Sequence, residues 1–295
     1  MQIGVDFGGT KIEAAVLDAN GAFRSRIRAR NPGGYDAAIR CVCELVAAAE
    51  REAGSERTTI GVGAPGSISP HAGTVRNANT EWLNGRHFRE DLSAALGREV
   101  RLANDANCLA LSEVIDGAAA GSKITFAAIL GTGCGGGLVV NGRLVEGAHG
   151  LGGEWGHTPL PWPTHAEIEV PRCWCGRRGC LEMWVSGSGL QRDHVAVTSQ
   201  PLTGEEIVER AHNGDTQAHA SLARYVDRLA RGLAVICNIV DPDTIVLGGG
   251  LSNVMELYEQ LPPLVGEHTF SGGWQGRIVR ARWGDSSGVR GAARL

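Results

Sequence analysis

The chain opens on short apolar blocks cut by glycine turns. Ile3 to Phe7 reads as a strand, Gly8-Gly9-Thr10 as a turn, and Ala14 to Leu17 as part of a second strand. Asn20-Gly21 is a hairpin signal, since both residues tolerate positive φ, and Phe23 to Arg30 follows as a third strand. From Tyr35 to Ala53 the period changes. Ile39, Val42, Leu45, Val46 and Ala49 fall at helical spacing.

The same order returns later. Ile124 to Leu130 is an apolar run, Gly131-Thr132-Gly133-Cys134-Gly135-Gly136-Gly137 a turn, Leu138 to Val140 a strand and Asn141-Gly142 a second hairpin signal. Two related halves are inferred, each a β-meander that continues into helices, with a cleft between them as the natural ligand site. A long helix is expected where Leu222, Val226, Leu229, Leu233, Ile236 and Val240 step by four and three, stopped by Asp241-Pro242. Thr244 to Leu247 follows as a buried strand running into Gly248-Gly249-Gly250, and Ser252 reads as a helix N-cap. A boundary near Gly117 to Ser122 divides the chain into residues 1–118 and 119–295.

Composition narrows the class. Of 295 residues, 43% are hydrophobic and 20% charged, which excludes a disordered chain. The net charge of −4 argues against a bulk electrostatic grip on nucleic acid or an anionic membrane. No apolar run reaches ~18 residues, and no basic, apolar leader opens the chain, so a cytoplasmic protein is expected. Glycine, at 43 residues, is about twice its usual share of ~7% and clusters after apolar runs, as backbone that approaches a ligand closely would. Eight cysteines without a leader do not suggest a disulfide framework, but Cys173, Cys175 and Cys180 crowd together as metal-binding cysteines do. Cys41, Cys43, Cys108, Cys134 and Cys237 are expected as buried, reduced thiols, and Arg24, Arg26, Arg28 and Arg30 as a solvated face.

Asp6-Phe7-Gly8-Gly9-Thr10-Lys11 combines bare N–H groups, a hydroxyl, a positive charge and a carboxylate able to hold Mg²⁺. Taken alone it is equally a tight glycine hairpin. The second turn at Gly131, Thr132, Gly133 and Gly135, and the third at Gly248, Gly249 and Gly250, favour a nucleoside triphosphate clamped from two sides. Neither turn has the spacing of a P-loop or of a dinucleotide fingerprint. Asn104-Asp105 stands where strand Val100 to Ala103 gives way to a helix. From spacing alone Asp105 is more simply a helix cap.

These motifs together resemble a sugar kinase of the ROK family, over essentially the whole chain. Gly66-Ser-Ile-Ser-Pro70, Trp82-Leu-Asn-Gly85 and Arg101-Leu-Ala-Asn-Asp-Ala-Asn107 are most similar to its bacterial fructokinase (manno-fructokinase) branch, with N-acetylglucosamine kinase the near neighbour. The resemblance implies an α/β, actin/Hsp70/hexokinase-like (ribonuclease H-like) two-domain fold, with the last helix packing back on the N-terminal domain. It implies ATP and Mg²⁺ as cofactors and phosphorylation of fructose to fructose 6-phosphate. Asp105 would be the general base, and Asn104, Asp105, Glu154, His157 and Glu182 would hydrogen-bond the sugar, with Gly66 and Asn79 as further contacts. His157, Cys173, Cys175 and Cys180 would hold a structural Zn²⁺, the alternative being reduced thiols beside a pocket histidine. His157 would serve the metal through one ring nitrogen and a hydroxyl through the other. Trp82 could line the sugar entrance. A homodimer is implied, with no nucleic-acid or membrane partner. A sugar-responsive regulator with the same body is the non-kinase alternative; it would need a DNA-binding domain ahead of the first strand, for which Ile3 leaves no room.

Overall fold

The computed structural model describes residues 1–54, 59–168 and 171–295. The expected meander forms from β1 (Gln2–Phe7), β2 (Lys11–Leu17) and β3 (Phe23–Arg30), paired antiparallel with Asp6 opposite Glu13. α1 (Tyr35–Ala53) buries Ala38, Val42, Leu45, Val46 and Ala49 and ends on Gly54 in the left-handed region. β4 (Ile60–Ala64) joins β1 in parallel. A small hairpin, β5 (Ser67–Ile68) with β6 (Val75–Arg76), precedes α2 (Phe88–Leu96). β7 (Val100–Asn104) pairs with β4 and passes straight into α3 (Asp105–Ile115). The sheet order is β3-β2-β1-β4-β7.

The second sheet starts with β8 (Ile124–Leu130), β9 (Cys134–Val140) and β10 (Arg143–Leu144). Four helices follow: α4 (Glu182–Val185), α5 (Gly187–Thr198), α6 (Gly204–His212) and α7 (Thr216–Val240). β11 (Thr244–Gly248), α8 (Glu256–His268), β12 (Arg277–Arg280) and α9 (Ser287–Ala293) complete the chain. The order β10-β9-β8-β11-β12 repeats that of the first sheet, a meander flanked by two parallel strands. Among the described residues no helix is long and apolar enough to cross a membrane.

The chain forms two compact units. One comprises Met1–Gly121, Gly137–Gly152 and Arg282–Leu295; the other comprises Ser122–Gly136 and Gly153–Ala281. A single cut at 118/119 differs from this at residues 119–121, 137–152 and 282–295, which group with the first unit.

Glycine explains how α9 reaches the first sheet. A Cβ on Gly61 would lie 1.7 Å from the Ala292 carbonyl oxygen, and one on Gly291 would lie 1.8 Å from that of Cys108. Helix backbone therefore rests directly on strand and helix backbone. Glu113, fully buried near the end of α3, fastens the same segment. Its carboxylate accepts from the N–H groups of Ala118, Arg282 and Trp283 and from Ser287 Oγ.

Several sequence expectations are corrected. β9 begins at Cys134, so Gly135 to Gly137 are strand rather than turn. A Cβ on Gly136 would press on Phe126 and Trp155, both at 2.7 Å, so that glycine makes room for an aromatic core. Ser252 does not cap α8. Its hydroxyl donates to Gly249 O inside a 3₁₀ turn, Gly250–Asn253. Cys41 and Cys43 are half-buried. Arg26 and Arg28 are not merely solvated, since both pair with the buried Glu13. Trp82 packs edge-on against Phe7, with ring centroids 6.0 Å apart.

Candidate active site

In the first unit, Asp6 is the last but one residue of β1 and Lys11 opens β2, which leaves Gly8, Gly9 and Thr10 as the turn. The turn is pinned from outside. Asn31 Nδ2 donates to Gly8 O at 2.8 Å, and its N–H donates to Thr10 O at 2.9 Å. Gly9, Thr10 and Lys11 remain exposed. Burial, then the charges of Asp105 and Glu13, push the Asp6 carboxyl up to about 6.

Asp105 is the first residue of α3. Its cap is Asn104, whose Oδ1 accepts from the Ala106 N–H at 2.8 Å while its Nδ2 donates to Gly66 O at 3.0 Å. Asp105 Oδ1 accepts from the same Ala106 N–H at 2.8 Å, so one carboxylate oxygen shares the capping bond with Asn104. Its carboxylate is open to solvent at its tip, yet protein packed around it removes much of its hydration, and this desolvation raises its pKa against the opposing Ala106 N–H. Gly66 has φ 83°, and a Cβ there would lie 2.5 Å from Arg76 O, which is reason enough for glycine. Asn79 is exposed on a loop closed by Asn84, which bonds both backbone groups of Ala78.

In the second unit, the turn after β8 is braced by α5. Gly187 N–H donates to Gly131 O at 2.7 Å and Ser188 Oγ to Thr132 O at 2.8 Å. Gly249 takes φ 82°, with a Cβ position only 2.6 Å from Leu130 O, whereas a Cβ on Gly250 would meet nothing. These pieces frame a cavity of about 800 Å³ lined by Gly131, Thr132, Ser188, Gly204, His212 and Gly250, among others. Gly133, Gly135, Gly248 and Gly249 do not line it. Gly135 instead accepts from Trp155 Nε1 at 2.9 Å. The α5 and α6 contributions escaped the sequence reading. The Thr203-to-Glu206 capping box was the legible signal for α6, and Ser186, which caps α5, the one for the other. The first N–H groups of α5 are spent locally, Gly187 on Gly131 O and Gly189 on Ser186 Oγ.

Glu154 and His157 stand at the two ends of a single 3₁₀ turn, Trp155–His157. The neighbouring strip is paired with the cysteine loop: Leu160 N–H donates to Gly179 O at 3.0 Å and Leu181 N–H to Thr158 O at 2.7 Å. Ligand atoms of His157, Cys173, Cys175 and Cys180 all lie within 4.8 Å of one another. Cys175 and Cys180 sulfurs are 3.5 Å apart, and Cys173 Sγ is 3.7 Å from His157 Nδ1. Tetrahedral Zn²⁺ with ~2.3 Å bonds to sulfur requires edges of roughly 3.6–3.8 Å, so the donors fit. Desolvation and neighbouring sulfurs raise Cys173 and push Cys180 up to about 12, so these thiols ionise at neutral pH only against a cation. Glu182 Oε2 accepts from the Cys134 N–H at 3.0 Å and Oε1 from Trp174 Nε1 at 2.7 Å.

The repeated strand order and the helices define a hexokinase-like, actin-like α/β fold. The ROK family profile matches residues 2–295, and the chain belongs to that family. An N-acetyl-D-glucosamine kinase of Escherichia coli O6:H1 (strain CFT073) is 43% identical over 300 residues, covering 100% of this chain and 99% of the relative. A ROK hexokinase from Thermus thermophilus superposes with a TM-score of 0.88 at 34% identity, over 99% of this chain and 96% of that one. A ROK family glucokinase from Streptomyces griseus, solved with glucose and AMPPNP, gives 0.82 at 29% identity, over 100% and 98%.

Proposed function

We propose that this chain is an ATP-dependent hexose kinase whose preferred sugar is N-acetyl-D-glucosamine. The observation that carries the kinase reading is the cavity of about 800 Å³ where Gly131 and Thr132 of the second glycine cluster and Gly250 of the third meet the first residues of α5 and α6. It offers backbone N–H groups to phosphates at one end and room for a base and ribose at the other. The choice of sugar rests on the 43% identity to N-acetyl-D-glucosamine kinases. Fructose, expected from the motifs, stays in the test as a competitor.

In this reading a hexose hydroxyl oxygen attacks the γ-phosphorus. The bond from that phosphorus to the β-bridging oxygen breaks, ADP leaves, and the hydroxyl proton passes to Asp105. Asp6 would hold Mg²⁺, which neutralises β- and γ-phosphate charge when bound. Gly8, Gly9, Thr10 and Lys11 would take phosphate oxygens, as would Gly131 and Thr132. Glu154 and Glu182 would orient sugar hydroxyls, as would Asn104, and Gly66 and Asn79 would be further sugar contacts. His157 Nδ1 faces the thiols, so Nε2 is the nitrogen available to a hydroxyl. His157, Cys173, Cys175 and Cys180 would bind a structural Zn²⁺, which cross-links two segments and takes no part in bond making. A homodimer completes the proposal.

A coupled ADP-release assay over N-acetyl-D-glucosamine, glucose, mannose and fructose tests this. The highest kcat/KM is expected on N-acetyl-D-glucosamine. Preference for fructose would overturn the sugar, and no ADP release with any hexose would overturn the kinase.

A further inference from the structure

Burial does not explain Trp174. It sits between two of the clustered cysteines and is 61% exposed, so its indole gains little from the hydrophobic effect. Its polar and ring contacts both point inward. Nε1–H donates to Glu182 Oε1 at 2.7 Å, a short, charge-assisted bond. The ring stands edge-on to His157, centroids 4.9 Å apart and planes at 83°.

Glu182 is thereby held by both oxygens. Oε2 accepts the Cys134 N–H at 3.0 Å, where the Gly131–Gly133 turn enters β9. A Cβ on Gly133 would come within 2.8 Å of that oxygen, so turn and carboxylate are in direct contact. A carboxylate offers about four lone-pair positions; these bonds use one on each oxygen, and Cys173 Sγ, 3.9 Å from Oε1, adds a weak third contact. A hydroxyl can still be accepted, but only along directions these partners leave open. Without the indole, Oε1 loses its strong donor and keeps the weak sulfur contact, so the carboxylate can turn about its Cys134 bond until the sugar orders it.

We propose that Trp174 is a positioning residue for the hexose. Acting through Glu182, it holds the carboxylate where a sugar hydroxyl and the Gly131–Cys134 turn are engaged together. This rests on the reading of Glu182 as a sugar-binding residue given above.

Trp174→Phe keeps a ring beside His157 and removes only the N–H. It is compared with the wild type, Glu182→Ala and the double variant. Each protein is assayed for zinc content and melting, titrated calorimetrically with N-acetyl-D-glucosamine and with glucose, and examined kinetically. Trp174→Phe should keep its zinc and melting temperature while hexose Kd and KM rise about three- to tenfold, with kcat less affected. In the Glu182→Ala background the same substitution should change hexose kcat/KM by less than about twofold, because its route is gone. If Glu182→Ala does not fold, Glu182→Gln replaces it, and the effect of Trp174→Phe should shrink against the weaker acceptor. Wild-type hexose Kd in Trp174→Phe, or an undiminished effect in the Glu182 background, overturns this inference and leaves Glu182 standing. Wild-type hexose affinity in the Glu182 variants themselves overturns both.

Discussion

Ser287 Oγ donates to Glu113 Oε1 at 2.9 Å, although 174 residues separate them in sequence. The same carboxylate takes the N–H groups of Ala118, Arg282 and Trp283, so one buried side chain fixes the C-terminal segment to α3. Removing it strands several buried donors, each costing about 1–3 kcal/mol. Glu113→Ala should lose about 4 kcal/mol by urea unfolding, and Glu113→Gln should lose less. A loss under about 1 kcal/mol in Glu113→Ala would show that the segment is held by apolar packing alone.

Two glycines separate packing from ligand demand. Gly61→Ala places a methyl 1.7 Å from Ala292 O, against backbone that cannot rotate away. We expect a loss of about 3 kcal/mol or more. Gly250→Ala meets nothing in the chain and adds no positive-φ strain, so stability should stay within about 0.5 kcal/mol. Its methyl would instead enter the proposed nucleotide cavity, and KM for ATP should rise at least about threefold. Unchanged KM for ATP in Gly250→Ala would move the nucleotide elsewhere.

The same glycines mark what a single sequence can and cannot carry. α1 and β8 were legible to the residue because α1 buries one periodic face and β8 is a continuous apolar run buried almost throughout, and the repeated strand–turn–strand order is visible as text. Gly135 to Gly137 misled because a glycine beside a phosphate and a glycine beside Trp155 read alike. The partner that decides lies 20 residues on for Gly135. Glu113 and Asn31 gave no signal at all, since most of the groups they fasten, Arg282, Trp283 and Ser287 for one and Gly8 and Thr10 for the other, lie far off in the chain. Asp105 was visible as a strand-to-helix carboxylate, but that it shares the Ala106 N–H with Asn104 rather than capping alone depended on seeing both side chains in place.

Glu167 sets a pH limit on the second unit. Burial alone would raise its carboxyl, but hydrogen bonds from Arg231 and Arg228 and from the Thr164 N–H bring it down from 4.5 to about 2. A depressed carboxyl stabilises fully above the unfolded pKa and loses that stabilisation as pH falls through the folded one. The contribution, roughly 3 kcal/mol, should therefore be complete above pH ~4.5 and gone near pH ~2. Urea unfolding of wild type and Glu167→Gln should show a gap of that size at pH 7 that narrows steadily below pH ~4.5. A gap that does not depend on pH would place the stabilisation outside this charge.

As the proposed base, Asp105 would work only when ionised. Desolvation raises its carboxyl above 3.8, and burial with the Asp105 and Glu13 charges takes Asp6 to about 6. As pH falls, the raised groups protonate before an ordinary aspartate would, so kcat should decline on the acid side well above pH 3.8, with a limb that belongs to the pair. Asp105→Asn should lower kcat by about 10²–10⁴-fold. Turnover unchanged in Asp105→Asn would remove this residue from the chemistry, and a limb at the ordinary carboxylate value would remove the desolvation argument.

The cysteine cluster should bind hexose affinity to metal content. Glu154 and His157 share one turn, and Cys180 precedes Glu182 by two residues, so both proposed sugar carboxylates hang from the cross-linked segments. Between the two segments the backbone bonds from Leu160 to Gly179 and from Leu181 to Thr158 add only about 1–3 kcal/mol. A strong chelator should therefore lower the melting temperature and weaken hexose binding in parallel, and restored Zn²⁺ should recover both. Cys175 is the informative ligand to change, because it is exposed and Cys175→Ser leaves no cavity. That variant should copy the chelated protein in hexose Kd while ADP affinity falls less. Purified, reduced protein with no bound zinc, or chelation that moves the melting temperature without moving hexose Kd, would sever the metal from the sugar.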